Sequence, residues 1–259
     1  MRELILSDIT EMGSGLCMVG IEQVGKNEFR SVRPLPPTGY AWPIALHCLR
    51  GSVMQFEPVA TSASRPHIED QNTHGLTPGA DSLGEDEVVD LLQHAEISEN
   101  SEDLFGCGLY SDQLGGNTWV PPASASRSIC GCNYANMRFR VYMDAAKVKL
   151  VAMVALTSGE VLHSLPIVDW AWRQFVVELT RRFPRLPPRK ELDALFNRSI
   201  RARVMDNPVH FVRLGLPRPN REENKCWLML DSLFPQPDVT WLDDLGVGYS
   251  SVPLYDGPR

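Results

Sequence analysis

The chain has 259 residues, of which 43% are hydrophobic and 22% charged, a composition typical of one large or two ordinary folded domains that excludes disorder throughout. Its apolar runs, such as residues 150–156, are too short to span a bilayer, and residues 1–3 lead into a strand-like segment without a signal-peptide core. We therefore expect a cytoplasmic protein with no membrane partner, whose net charge of −7 is divided between two halves of opposite sign.

The N-terminal third is predicted to form a β-meander of short strands separated by turns. From residue 61 the apolar alternation is lost, and no regular element is predicted as far as residue 78. A short helix is predicted at 85–94, followed by acidic and Gly-rich loops. We therefore expect a first barrel at residues 1–122 with an acidic, loop-rich insertion at residues 61–122. The predicted strands cover residues 3–9, 15–22, 28–32 and 53–60.

The C-terminal half has a clearer pattern of elements. Asp169 is a suitable N-cap for a helix whose apolar residues recur at i, i+3, i+4, i+7 and i+11, so one helix face is expected to be buried. A short helix is predicted at 190–197. The predicted strands cover residues 136–143, 147–156, 160–167, 200–205, 209–216 and 226–234.

Three strands, a helix and then further strands is the order of an OB-fold, a small Greek-key barrel that binds oligonucleotides or oligosaccharides. We therefore predict a mainly β protein with two OB-fold-like barrels. The second barrel covers residues 123–259 and has a helix between its third and fourth strands. SH3-like barrels and other α+β arrangements give a similar order of elements and stay open as alternatives.

Short motifs occur near both ends of the chain. The N-terminal motifs are a polar turn, a Cys-x-x-Gly strand and an Arg-Pro step, namely Ser7-Asp8, Cys17-Met18-Val19-Gly20 and Ser31-Val32-Arg33-Pro34. The C-terminal motifs are an Arg-x-Gly-Leu-x-Arg-Pro element, a strand and a Pro-Asp step, namely Arg213-Leu214-Gly215-Leu216-Pro217-Arg218-Pro219, Cys226-Trp227-Leu228 and Pro237-Asp238. Each motif alone is common, but their order resembles that of the bacterial dual OB-containing domain family.

This resemblance spans nearly the whole chain and leaves residues 61–122 unmatched. It implies two OB-like barrels, binding of nucleic acid or a nucleotide, and association with bacterial conflict systems such as anti-phage defence. The family has no established catalytic residues to carry over. The motif positions that the resemblance marks for a structural or binding role are Ser7, Asp8, Cys17, Gly20, Arg33, Pro34, Gly215, Pro219, Pro237 and Asp238.

The basic residues are concentrated in the C-terminal half. Residues 136–221 contain 16 Lys or Arg against 7 Asp or Glu, whereas residues 1–120 contain 6 against 18. Cations that alternate with apolar residues along strands, beside an aromatic ring, are typical of surfaces that bind a phosphate backbone. A solvated strand face would show the same alternation. The candidate nucleic-acid-binding residues are Arg138, Arg140, Tyr142, Lys147, Lys149, Arg201, Arg203, Arg213 and Arg218.

Arg33 precedes a proline that fixes the exit of its strand, so its guanidinium could be aimed at a ligand. A buried Arg33 paired with Asp8 across the meander would give the same sequence, and this structural role is the preferred interpretation.

The chain contains no nucleophile elbow, P-loop, HExxH or GxGxxG motif. Cys17 and His47 could form a Cys–His pair but lie in no recognised nucleophile signature. Cys130 and Cys132 could ligate zinc only with two further ligands, for which His163 and Cys226 are arbitrary choices. We therefore predict no catalytic residues, no metal and no cofactor.

The favoured hypothesis is a non-catalytic accessory protein of a bacterial defence system that binds DNA or RNA through the basic face of the second barrel. It would also have a protein partner from the same system. The alternative is a protein-interaction adaptor whose acidic insertion and C-terminal strands dock a partner enzyme, without direct nucleic-acid binding.

Overall fold

The computed structural model describes residues 1–13, 15–46, 48–60, 63–96, 104–112, 116–144, 147–183, 186, 188–219, 222–243 and 245, without the side chains of residues 45, 96, 143, 144 and 147. Strands predominate over helices, so the prediction of a mainly β fold is confirmed. Within these residues, no helix is long and apolar enough to cross a membrane.

Five strands of the N-terminal half form a closed barrel in the order β1-β5-β6-β3-β2, and pairing of β1 with β2 completes it. All pairs are antiparallel except β3 with β6, which is parallel. A two-residue strand, β4, adds to the edge of β2. The strands are β1 (Arg2–Met12), β2 (Gly15–Gly25), β3 (Glu28–Leu35), β4 (Trp42–Pro43), β5 (Ser52–Pro58) and β6 (Asp70–Ser82).

The strand β6 corrects the prediction of an irregular insertion that begins at residue 61. Its sequence is rich in polar residues, Gly and Pro, and its first buried residues, Asp70, Thr73 and Leu76, recur every three positions. Register shifts in its pairing with β5 account for this spacing. The two-residue alternation that identifies a strand in sequence is therefore missing.

The helix predicted at 85–94 is present as α1 (Glu85–Glu96). Its buried residues Val88, Val89 and Leu92 pack with Ile21 of β2 and with aromatic residues of the C-terminal half. The acidic segment thus supplies a helix that packs between the two halves of the molecule. Its apolar face is buried in this contact.

The C-terminal half contains a five-stranded sheet in the order β11-β10-β9-β12-β14. Residues 129–133 of the long strand β9 pair with β12, and residues 134–144 pair with β10. The two edges of the sheet meet at a single parallel bridge between Ile167 and Leu230. The strands are β7 (Tyr110–Ser111), β8 (Thr118–Val120), β9 (Ile129–Asp144), β10 (Lys147–Leu156), β11 (Val161–Pro166), β12 (Phe211–Gly215), β13 (Cys226–Trp227) and β14 (Met229–Phe234).

A helical region lies between β11 and β12. It comprises α2 (Trp170–Arg182), α3 (Arg189–Leu195), a π-helical turn (Phe196–Ile200) and α4 (Arg201–Asp206). The prediction of a strand at 200–205 is wrong. Phe196, Ile200 and Val204 are buried at a four-residue spacing, which places them on one helix face. The alternation of apolar and basic residues from Ile200 to Val204, which suggested a strand, is coincidental.

The helix α2 connects the two hydrophobic cores. Trp172, Phe175 and Leu179 are buried in the C-terminal core, whereas Trp170 packs against the core of the barrel. Asp169 caps this helix as predicted, because its carboxylate accepts a hydrogen bond from the backbone N–H of Ala171 at 2.9 Å.

A small three-stranded sheet of β7, β8 and β13 covers another part of the C-terminal core. Its outer face carries a row of rings in which Tyr110 stacks on Trp119 at 4.9 Å and Trp119 meets Trp227 edge-on at 6.5 Å. The Lys225 ammonium lies 4.7 and 4.9 Å from the two indole centroids and pairs with Asp112 at 3.1 Å. These cation–π contacts shield part of the exposed ring surface.

We predict that Asp169→Ala lowers the free energy of unfolding by about 3–5 kcal/mol, because it removes one partner of a buried ion pair. The partner in this ion pair is Arg50, whose guanidinium donates to the Asp169 carboxylate at 2.6 Å. The backbone N–H of Leu233 donates to the same carboxylate at 2.9 Å. Urea unfolding measures the change. The control is Asp238→Ala, whose exposed carboxylate only caps a turn, with an expected loss of about 1 kcal/mol or less. Equal losses would contradict the prediction.

Candidate functional site

The first strand of the C-terminal sheet has a buried face and a cationic face. On β9, Met137, Phe139 and Val141 are buried in the core, whereas Arg138 and Arg140 are exposed. Successive side chains of a β-strand point to opposite faces, so the strand places its three apolar residues on the core side and its two arginines on the outer side. The two guanidinium groups are therefore displayed on one outer surface.

The neighbouring strand extends this surface, which we call the basic face and define by Arg138, Arg140, Tyr142 and Lys149. Lys149 of β10 lies directly opposite Tyr142 in the ladder and is exposed. The Arg189 guanidinium of α3 lies 4.2 Å from the centroid of the half-buried Tyr142 ring. Lys147 is paired in the same strand, but its side chain is outside the described part of the structure.

The helical region protects the edge of β9 beside the basic face. The backbone N–H of Val141 donates to Asp193 at 2.6 Å, and that of Phe139 donates to Asn197 at 2.9 Å. The Asn197 amide returns a hydrogen bond to the Phe139 carbonyl at 2.7 Å. These side chains satisfy backbone groups that would otherwise be open to pairing by another strand.

Arg201 belongs to the same set of contacts, since its Nε donates to the Met137 carbonyl at 2.7 Å and its guanidinium also bonds the Asn136 amide at 2.8 Å. Arg201 therefore holds α4 against β9. Arg203 is exposed on α4. The strand predicted at 200–205, which would have placed Arg201 and Arg203 on one strand face, is wrong, because both residues are helical.

Arg213 is not on the surface, although its motif suggested a place in the binding set. Its side chain is fully buried on β12 and forms an ion pair with Asp8 of β1 at 3.0 Å. It also donates to the hydroxyls of Ser7 at 2.9 Å and Ser31 at 2.8 Å. The N-terminal and C-terminal motifs thus meet at a buried polar contact between the two halves, which we call the seam.

Asp231 of β14 adds a second carboxylate to the seam. Burial, reinforced by the nearby charge of Asp8, raises the pKa of Asp231 to about 7, although Arg33 and Arg213 oppose the shift. A Cβ at Gly215 would overlap the Asp231 carboxylate, so only glycine permits this close approach. The role of Gly215 in its motif is therefore to accommodate Asp231.

Arg33 has a structural role, but the predicted partner is wrong. It pairs with Asp70 at 2.8 Å rather than with Asp8, and it also contacts His67 Nδ1 at 3.0 Å and the Ser128 hydroxyl at 3.1 Å. Burial and the Arg33 charge lower the pKa of His67 to about 4, so its ring is neutral at physiological pH. Asp70 belongs to β6, the strand that the sequence did not reveal.

Arg218 lies at the outer end of this cluster. Its guanidinium bonds Asp70 at 2.7 Å and lies 4.3 Å from the centroid of the Tyr40 ring, while about half of the side chain (45%) remains exposed. Because Arg218 is already paired with Asp70, it is expected to contribute less to phosphate binding than an unpaired arginine would.

Four of the six cysteines, Cys48, Cys130, Cys132 and Cys226, are buried, and Cys17 and Cys107 are half-buried. Burial raises the pKa of Cys17 to about 11 and that of Cys132 to about 12. His47, the partner considered for Cys17, lies outside the described residues. The glycine between Cys130 and Cys132 leaves room for the Phe211 ring. The described residues include no group of three or more His, Cys, Asp or Glu able to hold a metal ion.

Two further motif positions have packing roles. A side chain at Gly20 would overlap Leu4 of the neighbouring strand, so its motif requires glycine for strand packing. Pro34 is buried, and its carbonyl accepts a hydrogen bond from the Trp42 indole at 2.7 Å. Trp42 is thereby packed in the core of the barrel.

The remaining motif positions lie nearer the surface. Pro219 is exposed and Pro237 is half-buried. The Asp238 carboxylate accepts a hydrogen bond from the backbone N–H of Thr240 at 2.8 Å, which lowers the pKa of Asp238 and fixes a turn after β14.

Comparison of this chain with family models, with curated proteins and with solved structures found no match. The family resemblance based on short motifs therefore stays a prediction.

We predict that Asp231→Asn reduces the dependence of stability on pH. Because the pKa of Asp231 is raised to about 7 in the folded state, its protonated form stabilises the protein at low pH, and this contribution is lost as the pH rises from about 4 through 7. Between about pH 5.5 and pH 8 the parent protein should lose about 2 kcal/mol more than the variant. Urea unfolding at each pH measures the difference.

The exposed carboxylate of Asp206 provides the control, since Asp206→Asn should leave the pH profile of the parent unchanged. The same slope in the parent protein and in Asp231→Asn would refute the role assigned to Asp231.

Proposed function

We propose that the protein binds single-stranded nucleic acid, without catalysing a reaction on it, through the basic face. The observation that carries this proposal is the exposure of Arg138 and Arg140 on one outer strand face, beside Tyr142 and Lys149 of the same surface. Arginine forms bidentate contacts with phosphate oxygens, and an aromatic ring offers a surface on which bases stack.

The spacing of the cations fits a phosphate backbone, and the aromatic ring beside them favours a single strand, whose bases are free to stack. Arg138 and Arg140 are two residues apart on a strand, so their Cα atoms are about 7 Å apart. This separation resembles that of successive phosphates in an extended chain. A basic surface next to an aromatic ring binds single strands with little sequence preference, since every base has a face that can stack.

The connectivity of the strands supports a fold of the OB type in both halves. In the barrel the strands follow the order 1-2-3-5-4-1, with the parallel pair between the third and fifth strands. The C-terminal strands β9, β10, β11, β12 and β14 have the same connectivity, with α2 after the third strand. We propose that the bridge between Ile167 and Leu230 marks the equivalent parallel pair and that this half is a second OB-like barrel.

The charge asymmetry restricts binding to one side of the molecule. The acidic N-terminal half repels phosphates, whereas the C-terminal half attracts them. A role as an accessory protein in a bacterial defence complex is proposed on the motif resemblance alone, and the protein partner would come from that complex.

We predict that the double variant Arg138→Glu with Arg140→Glu weakens binding of a short single-stranded DNA or RNA by about tenfold or more. Two lost phosphate contacts should also reduce the slope of log affinity against log salt concentration by about 1.4, at about 0.7 for each contact on a single strand. Fluorescence anisotropy over a series of salt concentrations measures both quantities.

The matched control is Lys26→Glu with Arg65→Glu, which makes the same change in net charge at exposed positions of the N-terminal half. This control should retain the parent affinity and slope. The proposal is wrong if the parent protein shows no salt-sensitive binding at low ionic strength, or if both double variants weaken binding equally.

A further inference from the structure

The helical region beside the basic face contributes a cation that the sequence patterns did not single out. Arg189 is the first residue of α3, and its guanidinium lies 4.2 Å from the centroid of the Tyr142 ring. Tyr142 follows Arg138 and Arg140 at two-residue intervals along β9, so the three side chains form one row on the outer face of the strand. The Arg189 guanidinium therefore lies where this row reaches α3.

Contacts between α3 and the edge of β9 set the position of Arg189. One turn further along α3, Asp193 accepts a hydrogen bond at 2.6 Å from the backbone N–H of Val141, the residue before Tyr142. Side chains four residues apart lie on the same side of a helix. The bond to Asp193 thus holds the first turn of α3, and with it Arg189, beside the strand position that carries Tyr142.

The charged partner of Arg189 leaves its side chain accessible. The Arg189 guanidinium lies 3.9 Å from the Asp193 carboxylate, which is longer than a hydrogen bond, and about half of the Arg189 side chain (49%) is exposed. An ion pair with this exposure contributes about 1 kcal/mol or less. The Tyr142 ring and the Asp193 carboxylate therefore orient Arg189 without enclosing it.

A guanidinium that lies on an aromatic ring can carry a second ring on its other face. The group is planar, and it stacks on unpaired bases as well as on aromatic side chains. Its positive charge is attracted to the π-electrons of both rings. Because Arg189 covers one face of the Tyr142 ring, a base that approaches this face meets the guanidinium first.

We propose that Arg189 is the base-stacking residue of the basic face. One unpaired base of the bound strand stacks on the guanidinium, whose opposite face lies on Tyr142, while Arg138 and Arg140 contact the adjoining phosphates. This inference rests on the proposed function and deepens it, because it assigns the base contact to α3 and makes an unpaired base a condition of tight binding. A base in a duplex could not join this stack without leaving its own.

The test keeps the charge of Arg189 and removes its planar group. Arg189→Lys does so at a half-exposed position, without a change in net charge. The probes are a short single-stranded DNA of mixed sequence and an abasic strand of equal length. We expect the variant to bind the strand with bases about tenfold more weakly, as for one lost stacking interaction. It should bind the abasic strand as the parent does, with an unchanged salt slope, because every phosphate contact is retained.

The matched control is Arg198→Lys, the same substitution at an exposed arginine of the π-helical turn, which should bind both probes as the parent does. If Arg189→Lys binds the strand with bases as tightly as the parent, or weakens both probes equally, Arg189 stacks no base and this inference is overturned, while binding by the basic face stands. If the parent binds neither probe at any salt concentration, the proposed function is overturned as well.

Discussion

The buried ion pair between Arg213 and Asp8 is the contact on which the arrangement of the two halves depends. It joins β12 of the C-terminal sheet to β1 of the barrel, and both side chains are removed from water. Bringing two charges into the interior is costly unless each is matched, so the pair is compatible with only one placement of the two strands. The hydroxyls of Ser7 and Ser31, which accept hydrogen bonds from the same guanidinium, narrow that placement further.

Two other charge pairs lie along the contact. Arg50 with Asp169 couples the barrel to the start of α2. Arg33 and Asp70 pair within the barrel, and Arg33 also reaches the Ser128 hydroxyl of the C-terminal half. Buried ion pairs are weak contributors to net stability, and their better-supported use is to select one arrangement over others. The apolar contribution comes from α1, whose buried face packs between the halves. The contact between the halves thus combines the apolar packing of α1, which holds them together, with the charges of the seam, which set their relative position.

This arrangement changes the roles assigned to the basic residues of the C-terminal half. Their number suggested a broad cationic surface, but Arg213 is used inside the seam and Arg201 holds α4 against β9. Arg218 is already paired with Asp70. The exposed cations of β9 and β10 form a smaller, better-defined basic face. The motif residues Ser7, Asp8, Arg213 and Gly215, in contrast, lie in the seam.

Much of the local structure was predictable from sequence, because short-range periodicity determines it. The helix α2 with its cap at Asp169, the strand β10 and the alternation of Arg138 and Arg140 with buried residues all follow from patterns within a few residues. The basic face could therefore be located before the fold was known. Only residues 200–205 at the end of the helical run were mistaken for a strand, whereas the helix predicted at 190–197 is present.

The sequence by itself determined a mainly β chain, the amphipathic hairpin of β9 and β10, and the separation of acidic from basic segments. Only the tertiary structure decided that polar β6 closes the barrel, that Arg213 finds Asp8, and that Gly215 makes room for Asp231. The physical reason is the separation in sequence over which each interaction acts. Periodicity and capping act between neighbours in the chain, whereas a strand that closes a barrel and a buried charge that finds its partner depend on residues far apart in sequence.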